Sequence, residues 1–185
     1  MVTGLIIKLP FDVPLASGSP HLMDGAMGTI LLSQGLNLNS CFELLNLTEP
    51  QRILKIHESY VQAGAQVLVT NTFGANPIRL RFHGVLSSLE KINRTGVRLA
   101  KKAAQGRFVL ASIGPLGIKR ISQREKMSLF QKQVRALEKE KPDGYLIETM
   151  VSLEEAKSAV DAVRLISKRP IITCMTFPKK IPSVK

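Results

Sequence analysis

The sequence predicts an α/β fold in which parallel β-strands alternate with helices. Three observations indicate it: short apolar runs rich in β-branched residues, amphipathic segments of helical period between them, and polar residues directly after the runs. Apolar runs without polar alternation are typical of strands buried on both faces, as in parallel sheets. The carboxyl ends of such strands share one edge. A closed barrel and an open doubly wound sheet both place ligands there, so both architectures fit.

Five strands, with helices between them, account for most of the chain. The strands are predicted over residues 21–23, 66–70, 108–113, 144–148 and 170–175. Three capping-box sequences, which begin at Thr48, Ser87 and Ser152, predict the starts of three helices. A segment over residues 28–34 that is followed by Gly35, and an apolar stripe at helical spacing over residues 127–137, predict two more.

Composition and charge exclude several classes of protein. The 185 residues are 44% hydrophobic and 22% charged, as in an ordinary globular domain, and no apolar run is long enough for a membrane-spanning helix. Two cysteines cannot build a disulfide framework, which favours a reducing, cytoplasmic location. We interpret the net charge of +12 as solvated helix faces. The alternative is binding to nucleic acid. With no Trp and only two Tyr for base stacking, such binding is expected to be nonspecific.

Four strand-end segments carry the most specific pattern in the sequence. They are residues 24–29 (DGAMGT), 70–76 (TNTFGAN), 112–117 (SIGPLG) and 146–150 (LIETM). In this order and spacing they resemble the homocysteine-binding domain of homocysteine S-methyltransferases, and most of all the N-terminal module of cobalamin-dependent methionine synthase. The resemblance covers roughly residues 21–177.

This resemblance implies a fold and a chemistry. Members of the family are (β/α)8 TIM barrels, so the chain is expected to form a partial barrel of about five of the eight parallel βα units. Members transfer a methyl group to the homocysteine thiolate to give methionine, and a zinc ion held by three cysteines activates the thiol. The methyl donor of one branch is methylcobalamin, which implies a corrinoid partner. The sequence leaves the donor of this chain open.

The resemblance also implies which residues bind substrate. The matching positions are Asp24 and Glu148 for the ammonium group, the backbone of Gly25 and Ala26 for the carboxylate, and Asn71 and Thr72 for the pocket wall. Two neighbouring carboxylates repel, so an empty site is expected to raise the pKa of one of them. Asp24 and Asn71 also fit simple turn and loop roles, and His57 and Ser112 are interpreted as packing residues. No catalytic residue is assigned.

The zinc ligands of the family have no counterpart in this sequence. They follow the sixth and eighth strands of the family, and Cys41 and Cys174 match neither position. No metal site is therefore predicted, and methyl transfer is expected to be impaired. The domain is predicted over residues 21–177, between an irregular leader (1–20) and a basic tail (178–185). Two alternatives stay open: a second chain that completes the barrel, and a non-catalytic truncated remnant or basic polyanion-binding fragment.

Overall fold

A computed structural model of the chain describes residues 21–118 and 121–177. Its centre is a parallel sheet in the order β1-β2-β3-β4, which follows the order of the chain. The strands are β1 (Val67–Val69), β2 (Phe108–Ile113), β3 (Gly144–Met150) and β4 (Ile171–Met175). Sequential parallel strands require a crossover after each strand, and helices supply these crossovers. The predicted leader and tail lie outside the described residues.

Seven α-helices and two short 3-10 turns surround the sheet in the described part of the chain. The 3-10 turns are Phe42–Leu44 and Leu86–Ser88. The helices are α1 (Met27–Ser33), α2 (Leu45–Thr48), α3 (Pro50–Gln62), α4 (Pro77–Phe82), α5 (Leu89–Ala104), α6 (Gln123–Glu138) and α7 (Leu153–Arg164).

The first predicted strand is reduced to a single bridge. Met23 pairs with Val67 in parallel, the Val67 carbonyl accepts the Asp24 N–H at 2.9 Å, and the Leu22 carbonyl accepts from Gln66 at 2.8 Å. The prediction of a five-stranded sheet is corrected to four strands and this bridge. The reason is local, because the segment turns at Asp24 and Gly25 before a longer ladder can form.

Alternate residues of each strand face opposite layers, and this alternation places the core. Leu68, Val109 and Ile147 point towards the helices, where they join clusters of fully buried side chains. The opposite face carries a smaller apolar cluster, centred on Val67, Leu110 and Leu146. In a complete barrel the second face would be the interior.

The helix starts agree only in part with the predicted capping boxes. Ser152 accepts the Glu155 N–H as expected, whereas Thr48 ends α2. Ser87 lies within the 3-10 turn Leu86–Ser88, and α5 begins after that turn without a side-chain cap. The complete capping box lies elsewhere, between Ser122 and Glu125. Thr48 fails as a cap because its hydroxyl bonds back to the Leu44 carbonyl, at 3.4 Å, within the preceding helical turn.

Asn76 is a buried cap that ties α4 to the loop after β2. Its side-chain oxygen accepts from the N–H groups of Ile78 and Arg79, and its Nδ2 donates to the Pro115 carbonyl at 3.2 Å. The residue is fully buried. Two loops at the carboxyl edge of the sheet are therefore held together by one side chain.

Replacing Asn76 with alanine is expected to lower the free energy of unfolding by about 2 kcal/mol, because it removes a cap and leaves buried N–H groups unpaired. Urea denaturation followed by circular dichroism measures this change. The matched control is Asn39→Ala in an exposed loop, which should change the free energy by no more than about 0.5 kcal/mol. Equal losses for the two variants would show that the Asn76 cap does not stabilise the fold.

Candidate functional site

A cavity of about 580 Å³ opens at the carboxyl ends of β1, β2 and β3. Of the six residues assigned to the substrate pocket, five lie on its wall: Asp24, Gly25, Ala26, Asn71 and Glu148. The parallel topology explains this convergence, because the segments that follow parallel strands meet at one edge of the sheet. The cavity is in the range of volumes typical of small-molecule sites.

Asp24 is a nearly buried carboxylate with little to stabilise its charge. Its side chain is 3% exposed, Oδ2 accepts the Val69 N–H at 2.9 Å, and Oδ1 has no hydrogen-bond partner among the described residues. The pKa of Asp24 is raised from 3.8 to about 7, chiefly by burial and in smaller part by the negative charge of Glu148. The direction agrees with the expectation for an empty site, but burial is a larger cause than repulsion.

Glu148 is presented to the cavity by an irregularity at the end of β3. The pairing register of β3 with β4 shifts between Ile147 and Met150, and Thr149 has φ of 62°. Such a bulge re-aims side chains next to functional sites, and a non-glycine residue in this left-handed region is strained. The Ser112 hydroxyl donates to Glu148 Oε1 at 2.5 Å. Ser112, interpreted from sequence as a packing residue, therefore also orients this carboxylate.

Asn71 and Thr72 are positioned differently from each other. The Asn71 amide donates to the Phe42 carbonyl at 2.8 Å and to Asn46 Oδ1 at 3.0 Å, while Asn46 donates back to the Asn71 carbonyl at 2.8 Å. Thr72 is fully buried, and its hydroxyl donates to the Ser112 carbonyl at 2.8 Å. Thr72 is not part of the cavity wall, because its side chain turns into the contact between β1 and β2.

The turn at Gly25 and Ala26 is pressed against α3. A side-chain carbon at Gly25 would lie 2.8 Å from the Tyr60 hydroxyl oxygen, and that hydroxyl donates to the Ala26 carbonyl at 3.4 Å. Among the described residues, the N–H groups of Gly25 and Ala26 have no acceptor. The glycine is needed here for close approach, and two backbone donors are free at the cavity.

Sequence reasoning missed Glu43, which also lines the cavity. Its Oε1 accepts the Gly74 N–H at 2.6 Å, and a side chain at Gly74 would collide with Glu43 and Arg79. Arg79 and His83 extend the same wall. These residues come from helical segments rather than strand ends, so the strand-end pattern could not indicate them. Glu43 follows the turn at Asn39 and Ser40, and nothing in the sequence around it indicates a residue of the cavity wall.

The described residues do not fit the zinc site that the family implies. They contain no group of three His, Cys, Asp or Glu side chains that could hold a metal ion. Burial and the nearby Glu43 charge raise the pKa of the Cys41 thiol to about 11, which is opposite to the behaviour of a metal-bound thiolate. Cys174 is exposed on β4.

No helix in the described ranges is long and apolar enough to cross a membrane.

Comparisons with known proteins show which family the chain belongs to. Residues 21–183 match the family described as homocysteine S-methyltransferase. The chain is 35% identical over 105 residues to the methionine synthases of Mycobacterium tuberculosis and Mycobacterium leprae, an alignment that covers 50% of this chain and 9% of each relative. The chain belongs to the homocysteine S-methyltransferase family.

Solved structures support the fold assignment. The metallated form of the homocysteine methyltransferase MmuM from Escherichia coli superposes with a TM-score of 0.75 at 23% identity, over 86% of this chain and 64% of that chain. Its oxidized form gives a TM-score of 0.71 over 82% of this chain. This chain thus spans less than two thirds of these structures. The prediction of a partial barrel of parallel βα units is confirmed at the level of the fold.

Replacing Asp24 with asparagine is expected to stabilise the empty fold at about pH 8 by about 2–4 kcal/mol. The folded carboxyl binds its proton more tightly than the unfolded one, so stability is lost as the pH rises from about 4 to about 7. The stabilisation by asparagine should therefore vanish near pH 4. Urea unfolding of both proteins across this range measures the difference.

The buried His57 titrates in the opposite sense over the same range. Its pKa is lowered by burial to about 4, so its contribution to stability is lost as the pH falls below about 6.5. Because His57 lies 4.0 Å from Asp24, the two titrations are coupled, and repeating the comparison in a His57→Phe background removes the His57 titration from the difference. A difference that does not change between pH 4 and pH 8 would contradict the raised pKa of Asp24.

Proposed function

We propose that this chain is the homocysteine-binding part of a homocysteine S-methyltransferase, and that Asp24 and Glu148 bind the ammonium group of homocysteine. The observation that carries the proposal is the buried carboxylate of Asp24, whose Oδ1 has no partner in the described structure. A carboxylate in this setting is costly unless a cation neutralises it. A ligand ammonium between Asp24 and Glu148 would supply that cation and relieve their repulsion.

The same turn offers a place for the substrate carboxylate. The N–H groups of Gly25 and Ala26 have no acceptor among the described residues, and both residues are exposed on the cavity wall. We assign the carboxylate of homocysteine to these two donors. An α-amino acid would then be fixed at both of its charged ends, which leaves its side chain free to extend across the cavity.

The role of this chain in methyl transfer is therefore binding and orientation. The family's zinc supplies thiolate formation when it is bound, but the described cysteines do not fit that ion. We propose that thiol activation and the methyl donor, methylcobalamin on a corrinoid protein or another donor, come from outside the residues described. Further βα units, on another chain or elsewhere in the protein, would complete the barrel. The chain by itself is then expected to be impaired in catalysis.

The alternative of a basic polyanion-binding fragment has less support from the surface. Several basic residues of α5 and of the C-terminal end of α6 are engaged in ion pairs or hydrogen bonds rather than free. Arg94 and Arg98 both bind Glu140, at 2.6 Å and 2.7 Å, and Lys139 binds Glu90 at 2.8 Å. Paired surface cations contribute less to a single-sign patch of the kind that phosphate backbones require.

Isothermal calorimetry with homocysteine tests the proposal at about pH 8, where Asp24 is ionised. Glu148→Gln and Asp24→Asn should each weaken binding by about 10- to 100-fold, because each removes one charge-assisted hydrogen bond. 4-Mercaptobutanoate, which lacks the amino group, should bind the wild type weakly and the two variants no worse.

Glu58→Gln is the matched control. It removes a carboxylate from α3 that does not line the cavity, and its affinity for homocysteine should equal that of the wild type. Tight binding by the wild type that is retained in both Asp24→Asn and Glu148→Gln would refute the assignment of these carboxylates to the ammonium group.

A further inference from the structure

His57 is a fully buried histidine whose ring nitrogens are both unpaired among the described residues. It lies on the buried face of α3 with 0% exposure, and neither ring nitrogen has a hydrogen-bond partner among the described residues. Buried polar side chains are satisfied in the great majority of cases, so two unpaired nitrogens on one ring require an explanation. Its nearest charged neighbour is Asp24, with Nδ1 at 4.0 Å from Oδ2.

The site contains few other groups that could stabilise the Asp24 anion. Tyr60 faces Asp24 from α3, and its pKa is raised by burial and by Asp24, so it stays a neutral phenol. Glu148 faces it from β3 and opposes its ionisation. The other titratable groups nearby are His21, which precedes Asp24 on its own segment, and three residues of the cavity wall, Glu43, Arg79 and His83.

We propose that His57 is a positioning residue of the ammonium site, whose Nδ1–H closes onto Asp24 Oδ2 and holds that carboxylate in its charged form beneath a bound ammonium group. The inference rests on the proposed function. It names a residue that does not touch the ligand and acts through Asp24. A movement of about 1 Å converts the 4.0 Å approach into a hydrogen bond of ordinary length.

The protonation state of the ring is compatible with this role. Burial lowers the pKa of His57 to about 4, so at neutral pH the ring is neutral and carries one N–H. Placing that N–H at Nδ1 leaves only an acceptor, Nε2, without a partner, which is the less costly arrangement. With Tyr60 one turn further along α3, the helix then supports Asp24 and the Gly25–Ala26 turn through two ring side chains.

Carbon-13 NMR of the aspartate carboxyl groups tests the inference without a ligand. The 185-residue chain has only four aspartates, and Asp24→Asn assigns the Asp24 signal by its loss. In His57→Phe, which has no donor, the titration midpoint of Asp24 should rise by roughly one pH unit. His57→Asn places an amide nitrogen near the position of Nδ1 and should keep the wild-type midpoint, whereas His57→Gln should resemble His57→Phe.

The comparison of asparagine with glutamine keeps the test valid if the phenylalanine variant does not fold. Asn39→Ala, in an exposed loop that does not line the cavity, is the control and should leave the Asp24 midpoint unchanged. Equal midpoints in the wild type and all His57 variants would overturn the inference.

Homocysteine titrations separate this inference from the proposed function. The pH below which the affinity for homocysteine falls should be higher in His57→Phe and His57→Gln than in the wild type. In His57→Asn it should equal the wild-type value. Absence of homocysteine binding by the wild type would refute the proposed function. The role of His57 in the ionisation of Asp24 would still be decided by the NMR midpoints. If the affinity for homocysteine falls at the same pH in the wild type and all His57 variants, His57 has no positioning role.

Discussion

The burial of the Asp24 carboxylate governs the arrangement of the site. Asp24 is placed between a bridge to β1 and the start of α1, where the backbone N–H of Val69 donates to its carboxylate. A carboxylate so poorly solvated accepts a proton near neutral pH unless a cation is present. The empty site therefore carries a free-energy cost that a bound ammonium group relieves, which couples ligand binding to the loss of a proton.

The surrounding structure holds this costly group in place through buried polar contacts. α3 packs against the turn after Asp24 with Tyr60, and the loop after β1 is anchored by the reciprocal amide contacts of Asn46 and Asn71. On the opposite side, Ser112 orients Glu148 at the strained end of β3. These contacts fix the strand-end loops to helices and strands, which favours a pocket formed before the ligand arrives.

The strand-end residues could be predicted from sequence because parallel topology brings the ends of all strands to one edge. Asp24 and Glu148 follow apolar runs, so their convergence needs no knowledge of side-chain contacts. Glu43 and Tyr60 could not be predicted in this way, since they belong to helical segments whose orientation depends on packing. The first strand was overestimated for a related reason: an apolar run of three residues does not show how soon the chain turns.

The proton balance of homocysteine binding tests most directly whether an ammonium group binds at Asp24. Calorimetry in several buffers of different ionisation enthalpy near pH 7 gives the number of protons exchanged per ligand. If an ammonium group replaces the proton of Asp24, whose pKa is about 7, about half a proton should be released at pH 7, and the release should rise towards one proton as the pH falls to about 5.5. Binding without proton release at pH 7, or with uptake, would contradict an ammonium site at this buried carboxylate.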